Sequence, residues 1–161
     1  MENFREYFDP VNSPDAESVP NHSFVKNWAV FRPGGELPVL SRDIHIAVIG
    51  VPEERGAPDN KGCSSAPDQI RRELYRLCRG NCNYQVADLG NLRPGLTLRD
   101  TYSALADICS SLLGNNIVSL IIGGSQDLTY AQYLAYQKQD QTVNIASVDS
   151  RFDLGAAEDE M

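Results

Sequence analysis

The stretch Val118-Ser-Leu-Ile-Ile-Gly-Gly-Ser-Gln-Asp-Leu-Thr-Tyr-Ala-Gln-Tyr133 decides how the chain is read. It opens on an apolar run, Val118 to Ile122, bounded by turn residues, which predicts a strand buried on both faces. Gly123 and Gly124 then allow a sharp turn and close approach of another group. A helical pattern follows from about Leu128 to Lys138. Gly123, Gly124, Ser125, Gln126 and Asp127 therefore fall at the C-terminal end of a parallel strand, the edge where open α/β sheets bind ligands. A second run, Val143 to Val148, ends in Asp149-Ser-Arg-Phe-Asp153. It is expected to be a further strand whose acidic end faces the first.

The same alternation extends toward the N-terminus. Ile44 to Ile49 reads as a strand ended by Gly50-Val-Pro52, and a Gly- and Pro-rich loop runs from Glu53 to Ser65. Pro67 suits the first turn of a helix. Ile70, Leu74, Leu77 and Cys78 recur at helical spacing, with Gly80 as the stop. Tyr84 to Asp88 reads as a short strand closed by Leu89-Gly90-Asn91. Thr97 with Asp100 resembles a capping box, opening an amphipathic helix through Leu98, Tyr102, Leu105, Cys109, Leu112 and Leu113. Strands alternating with helices predict a parallel sheet of about four strands with right-handed crossovers and helices on both faces. Residues 1–43 form an irregular arm with a short helix near Asn3 to Phe8. Its aromatics, Phe4, Tyr7, Phe8, Phe24, Trp28 and Phe31, are expected to pack on the domain or on a partner. Gly155 to Met161 reads as an acidic, frayed tail.

With 161 residues the chain can hold one domain with a core. A formal net charge of −8 argues against nucleic-acid or anionic-membrane surfaces, which reward Lys and Arg. No apolar run reaches the roughly 20 residues of a membrane span. The N-terminus lacks an apolar signal-peptide core, so a cytoplasmic location is expected. Of four cysteines, Cys63, Cys78, Cys82 and Cys109, the pair Cys78 and Cys82 could suggest a metal hook, but no second Cys or His pair completes it; they read as free buried thiols, with Cys78 and Cys109 on the apolar faces of predicted helices. The histidines are His22 and His45 alone; His45 reads as a structural strand residue. No glycine-rich nucleotide fingerprint and no Ser-His or Cys-His dyad is present, so no catalytic residue is assigned. Ser125 or Asp127 could also serve only to cap the helix that follows, and Asp149 and Asp153 only as turn residues.

Three motifs in order carry a resemblance. They are Ile49-Gly-Val-Pro-Glu-Glu-Arg-Gly56, continuing to Ala66-Pro67 and Ile70-Arg71; then Gly123-Gly124-Ser125-Gln126-Asp127; then Asp149-Ser-Arg-Phe-Asp153. Together they resemble the ureohydrolases (arginase, agmatinase and formimidoylglutamase) over residues 44–155, the N-terminal half of that fold. The resemblance implies a three-layer α/β/α domain and a two-manganese site whose bridging hydroxide attacks an amidine or guanidinium carbon. Matched residue by residue, Gln126 and Arg151 stand where the family has ligand histidines, and Asp149 and Asp153 match two ligand aspartates. The family's later strand with two further aspartates has no counterpart before Met161.

A guanidinium cannot be deprotonated and repels a divalent ion. Arg151 is therefore expected to pair with Asp149, Asp153 or Asp127 in place of the metal, leaving this chain without manganese and inactive. Three other readings remain open. One is a single Mg²⁺ or Ca²⁺ on Asp127, Asp149 and Asp153. Another is a manganese-dependent hydrolase of arginine, agmatine or formimidoylglutamate in a longer parent. The third is a flavodoxin-like small-ligand module. Family sheets place late strands beside the third one. Without them, the fourth strand is expected to pair with the third, or residues 1–43 to cover the gap, or chains to associate as homo-oligomers.

Overall fold

The computed structural model describes residues 4–11, 28–78 and 83–149. A five-stranded mixed sheet forms its middle layer. The strands are β1 (Phe8–Asp9), β2 (Ala29–Val30), β3 (Ile46–Val51), β4 (Val86–Leu92) and β5 (Val118–Gly123), and the helices are α1 (Ala66–Leu74), α2 (Leu98–Gly114) and α3 (Leu128–Lys138). β3 lies between β4 and β5 and is parallel to both. Its register with β5 runs unbroken from Ile46 opposite Val118 to Val51 opposite Gly123. Against β4 the register slips between Val48 and Gly50. The outer edge of β4 takes β2 in parallel and β1 antiparallel.

Side chains alternate across a strand, and the two faces of β3 fill separate cores. Ala47, Ile49 and Val51 pack with Leu105, Ile108, Cys109 and Leu112 of α2 and with Leu128, Ala131 and Ala135 of α3. Val48 faces the other way, with Val86, Ile122 and the half-buried Leu74 of α1. Helices thus flank the sheet on both sides, as the alternating pattern predicts. Each large side chain buried from α2 is worth roughly 1.5–3 kcal/mol, so this helix is a main anchor of the layer. Its start is set by a complete capping box: Thr97 Oγ1 accepts from Asp100 N at 3.2 Å, and Asp100 Oδ2 accepts from Thr97 N at 2.8 Å.

Phe4, Phe8, Phe31 and Leu40 from the first 43 residues are buried in the larger core. The expected short helix is a single 3-10 turn, Phe4–Tyr7. Phe24 and the tail from Gly155 lie outside the described residues.

Several elements differ from expectation. β3 begins two residues later than predicted, leaving His45 exposed just before it; His45 Nδ1 accepts from Gln85 N at 3.2 Å. β4 runs on through Leu89, Gly90 and Asn91 to Leu92 instead of turning there. Gly90 has φ +84°, and a side chain there would overlap the carbonyl of Asp9, so the glycine admits β1 to the ladder. α1 ends at Leu74, and the side chains it buries are Pro67 and Arg71; Ile70, Leu77 and Cys78 are exposed. Gly80 and Cys82 are outside the described residues.

The expected strand Val143 to Val148 does not form: residues 141–149 have no regular structure, and Ile145 and Val148 are exposed. The outer edge of β5 therefore has no pairing strand among the described residues. Consequently β5 is not buried on both faces, with Val118 62% and Leu120 45% exposed. The described residues of the arm do not cover this gap either, because β1 and β2 add to the opposite edge. No helix among the described residues is long and apolar enough to cross a membrane.

Candidate functional site

Two backbone bonds fold the end of β5 onto the end of β3. Gly124 N donates to Val51 O at 3.0 Å, and Ser125 N donates to Glu53 O at 2.9 Å. Any side chain at position 124 would overlap the Glu53 carbonyl, so this glycine is required by close approach. The turn places Ser125, Gln126 and Asp127 ahead of α3, at the C-terminal edge of the sheet.

Neither expected cap is made. Asp127 occupies the N-cap position of α3, but its side chain accepts nothing from the helix. One of its oxygens accepts a very short bond from the Tyr102 hydroxyl. Burial and this carboxylate hold the Tyr102 hydroxyl well above the usual tyrosine range. Gly56 packs directly on the same carboxylate, leaving no room for a side chain there. Asp127 Oδ1 and the Ser125 hydroxyl are both buried without a hydrogen-bond partner among the described residues. Such atoms are uncommon and call for a ligand, water or ion.

Gln126 is exposed, and its Nε2 donates to Asp149 Oδ2 at 3.3 Å. Two residues matched to the family's ligand positions thus meet, although the strand meant to carry Asp149 is absent. Arg151 and Asp153 lie outside the described residues. Asp127 and Asp149 face different partners. Among the described residues no three His, Cys, Asp or Glu side chains gather closely enough to hold a metal ion.

The loop after β3 is held by a carboxylate that sequence reading passed over. Glu53 is 2% exposed. Its Oε1 accepts from Glu54 N at 3.1 Å, Arg55 N at 3.0 Å and Arg55 Nε at 2.9 Å; its Oε2 accepts from Arg55 Nη2 at 2.5 Å and the Thr101 hydroxyl at 3.1 Å. The Arg55 bonds lead in pulling its pKa down to about 2, against the opposing effect of burial. Arg55 also donates to the carbonyls of Gly95 and Leu96. Glu54 accepts from Gly62 N and the Ser64 hydroxyl, which lowers its pKa and ties down the far side of the loop.

A second network missed from sequence stands at the end of β4. Arg71 is fully buried, with Nε to Asp88 Oδ2 and Nη2 to Asp88 Oδ1 both at 2.9 Å. It also donates to Gly90 O and to Asn91 Oδ1, and Tyr75 adds its hydroxyl to Asp88. Burial drives the Tyr75 hydroxyl far above its ordinary range. The one available signal was an arginine inside a helical apolar pattern, a position that is buried only when forked onto an acid.

The profile of the Arginase family matches residues 44–161. Curated formimidoylglutamases of Staphylococcus aureus are similar to this chain. The protein of strain bovine RF122 is 27% identical over 148 residues, 88% of this chain and 48% of that protein. The protein of strain MSSA476 is 26% identical over 151 residues, 90% and 49%. The chain thus spans about half the length of the curated relatives it matches. Among solved structures, Trypanosoma cruzi formiminoglutamase with Mn²⁺ superposes with a TM-score of 0.56 at 22% identity, over 63% of this chain and 38% of that one. The formimidoylglutamase of Bacillus subtilis gives 0.55 at 24% identity, over 62% and 34%. These likenesses agree with the three-layer fold and the ordered motifs: the chain belongs to the arginase family.

Proposed function

We propose that this chain is a ureohydrolase-type domain that binds a ligand at the polar end of β5 and does not itself catalyse hydrolysis. The observation that carries this reading is the contact of Gln126 with Asp149. An amide nitrogen is a donor; turned onto the carboxylate, it takes up an oxygen that a cation would need. Arg151 adds a permanent positive charge two residues from Asp149. The described donors do not fit a pair of manganese ions, and no hydrolytic step is derived through them.

The test is elemental analysis of protein purified with manganese present, joined to assays for urea or formamide release from arginine, agmatine and formimidoylglutamate. The expected result is manganese far below one ion per chain and no product. Two ions per chain with turnover would overturn the reading.

One observation favours a second reading. The formimidoylglutamase relatives match across nearly all of this chain but only about half of their own length. In that reading the chain is one half of a manganese-dependent amidine hydrolase. Further sequence would then supply the remaining acidic ligands, and the same assays on the longer protein would yield formamide.

A further inference from the structure

We propose that the outer edge of β5 pairs with the β5 of a second copy of this chain, antiparallel and about a two-fold axis. Backbone bonds fix which groups face outward. Val118 N donates to His45 O at 2.9 Å and Gly124 N to Val51 O at 3.0 Å, so the even-numbered residues of β5 bond to β3. Backbone groups alternate sides along a strand, and the N–H and C=O of Ser119 and Ile121 therefore point to the outer edge. Gln132 of α3 reaches this edge: its Nε2 donates to Ser119 Oγ at 3.2 Å and lies 3.5 Å from Ser119 O. A carbonyl oxygen accepts two bonds, so this contact does not close the edge to a strand.

Sheet edges are ordinarily guarded by charges, proline or a bulge. The stretch Val118-Ser-Leu-Ile-Ile-Gly123 has no charge and no proline, and its register with β3 is unbroken. Beside it, α3 turns Thr129, Gln132, Tyr133 and Tyr136 to a groove of about 590 Å³. Residues 142–146, on the far wall, are uncharged as well. Tyrosine without charge is the composition of an interface core. The charge pattern also selects the partner. Copies of a chain with net charge −8 repel one another over most of their surface, and here they meet through neutral residues alone. The surface calls for an uncharged apolar strand with a free edge, and β5 is itself such a strand.

The outward groups set the register. Ser119 opposite Ile121 of the second copy exchanges both N–H···O bonds, and the two-fold repeats the exchange, giving four. Leu120 then faces its own copy across the axis, as a non-hydrogen-bonded pair with Cα atoms about 4.5 Å apart. Val118 lies opposite Ile122, so the exposed Val118 and Leu120 cover each other's copies. Such a contact is isologous and closes at two chains. The edge is about 20 Å long and the contact roughly 20 Å deep, a footprint on the order of 400 Å² per copy. That is about half of what a standard stable interface takes from each partner, so the dimer is reversible, with Kd on the order of 10 μM.

The test is sedimentation equilibrium of the 161-residue chain over a range of concentrations bracketing that value. A monomer–dimer equilibrium is expected, with exchange of the Ile121 amide slowing as the dimer fills. Leu120→Lys sets two ammonium groups against each other at the axis and weakens dimerisation at least about tenfold. Ser119→Pro removes an outward N–H without touching the bonds to β3, and weakens it about tenfold. Val39→Lys, at an exposed position away from β5, leaves it unchanged. Should Leu120→Lys fail to fold by circular dichroism, Ser119→Pro carries the test. A monomer at every concentration overturns the proposal, whether the edge is covered by other residues of the chain or kept for a different partner. A dimer that neither substitution weakens overturns it equally. No metal and no turnover enter the measurement, so its result is independent of the function proposed for the polar turn.

Discussion

Replacing Glu53 with glutamine isolates the energetics of the loop that leads into the candidate site. The wild-type carboxylate accepts bonds from three groups of Arg55, from Glu54 N and from Thr101. An amide presents an NH₂ to donors on one side and removes the charge opposite the guanidinium. The pKa of Glu53 is lowered from 4.5 to about 2, a difference worth about 3 kcal/mol between native and unfolded states. Arg55 is 40% exposed, and solvent screening reduces the expected loss to about 2 kcal/mol at pH 7. The sign is fixed by the direction of the shift. A depressed carboxylate stabilises fully above about pH 4.5 and loses that contribution as pH falls toward 2. Urea denaturation of Glu53→Gln and wild type, from pH 7 down to pH 3, reads the difference as a gap in midpoint at constant slope. The gap should be widest at neutral pH and should narrow steadily on acidification. Equal midpoints at pH 7, or a gap that persists unchanged at low pH, would refute the assignment of Glu53 as an ionised anchor.

Two further outcomes follow from buried groups. Arg71→Met leaves Asp88 charged and unpaired in the interior and is expected to cost about 3–5 kcal/mol, visible as failure to fold or a large fall in melting temperature. Thiol titration with Ellman's reagent should modify the exposed Cys78 quickly in the native protein. Cys109, fully buried and with its pKa pushed up to about 11 by burial, should react only on unfolding.

What the sequence made legible was chiefly local. The capping pair at Thr97 and Asp100, the apolar stripe of α2 and the run before Gly123 each contain their own signal within a few residues. They placed α2, α3 and β5 well. The misplaced parts depend on partners distant in the chain. Val143 to Val148 has the composition of a buried strand, but a strand exists only where a neighbour offers its ladder, and none does so among the described residues. Arg71 is polar by composition and becomes interior because Asp88 waits across the sheet. Gly90 and Asn91 have the look of turn residues, yet they continue β4 because β1 returns to pair there. At the candidate site, sequence located the turn from Gly123 to Asp127. It gave no indication that Tyr102 and Gly56 would enclose Asp127, or that Glu53 would anchor the loop.

The antiparallel ribbon that Gly90 admits to β4 has a consequence for how this sheet can be extended. With β1 and β2 occupying that margin, additional strands have one place to dock among the described residues, alongside Val118 to Gly123. A newcomer lying parallel to β5 would bring its own C-terminal residues level with Gln126. Enlarging the sheet and walling in the polar turn would then be a single event, so the chemistry available at Asp127 depends on what joins that margin.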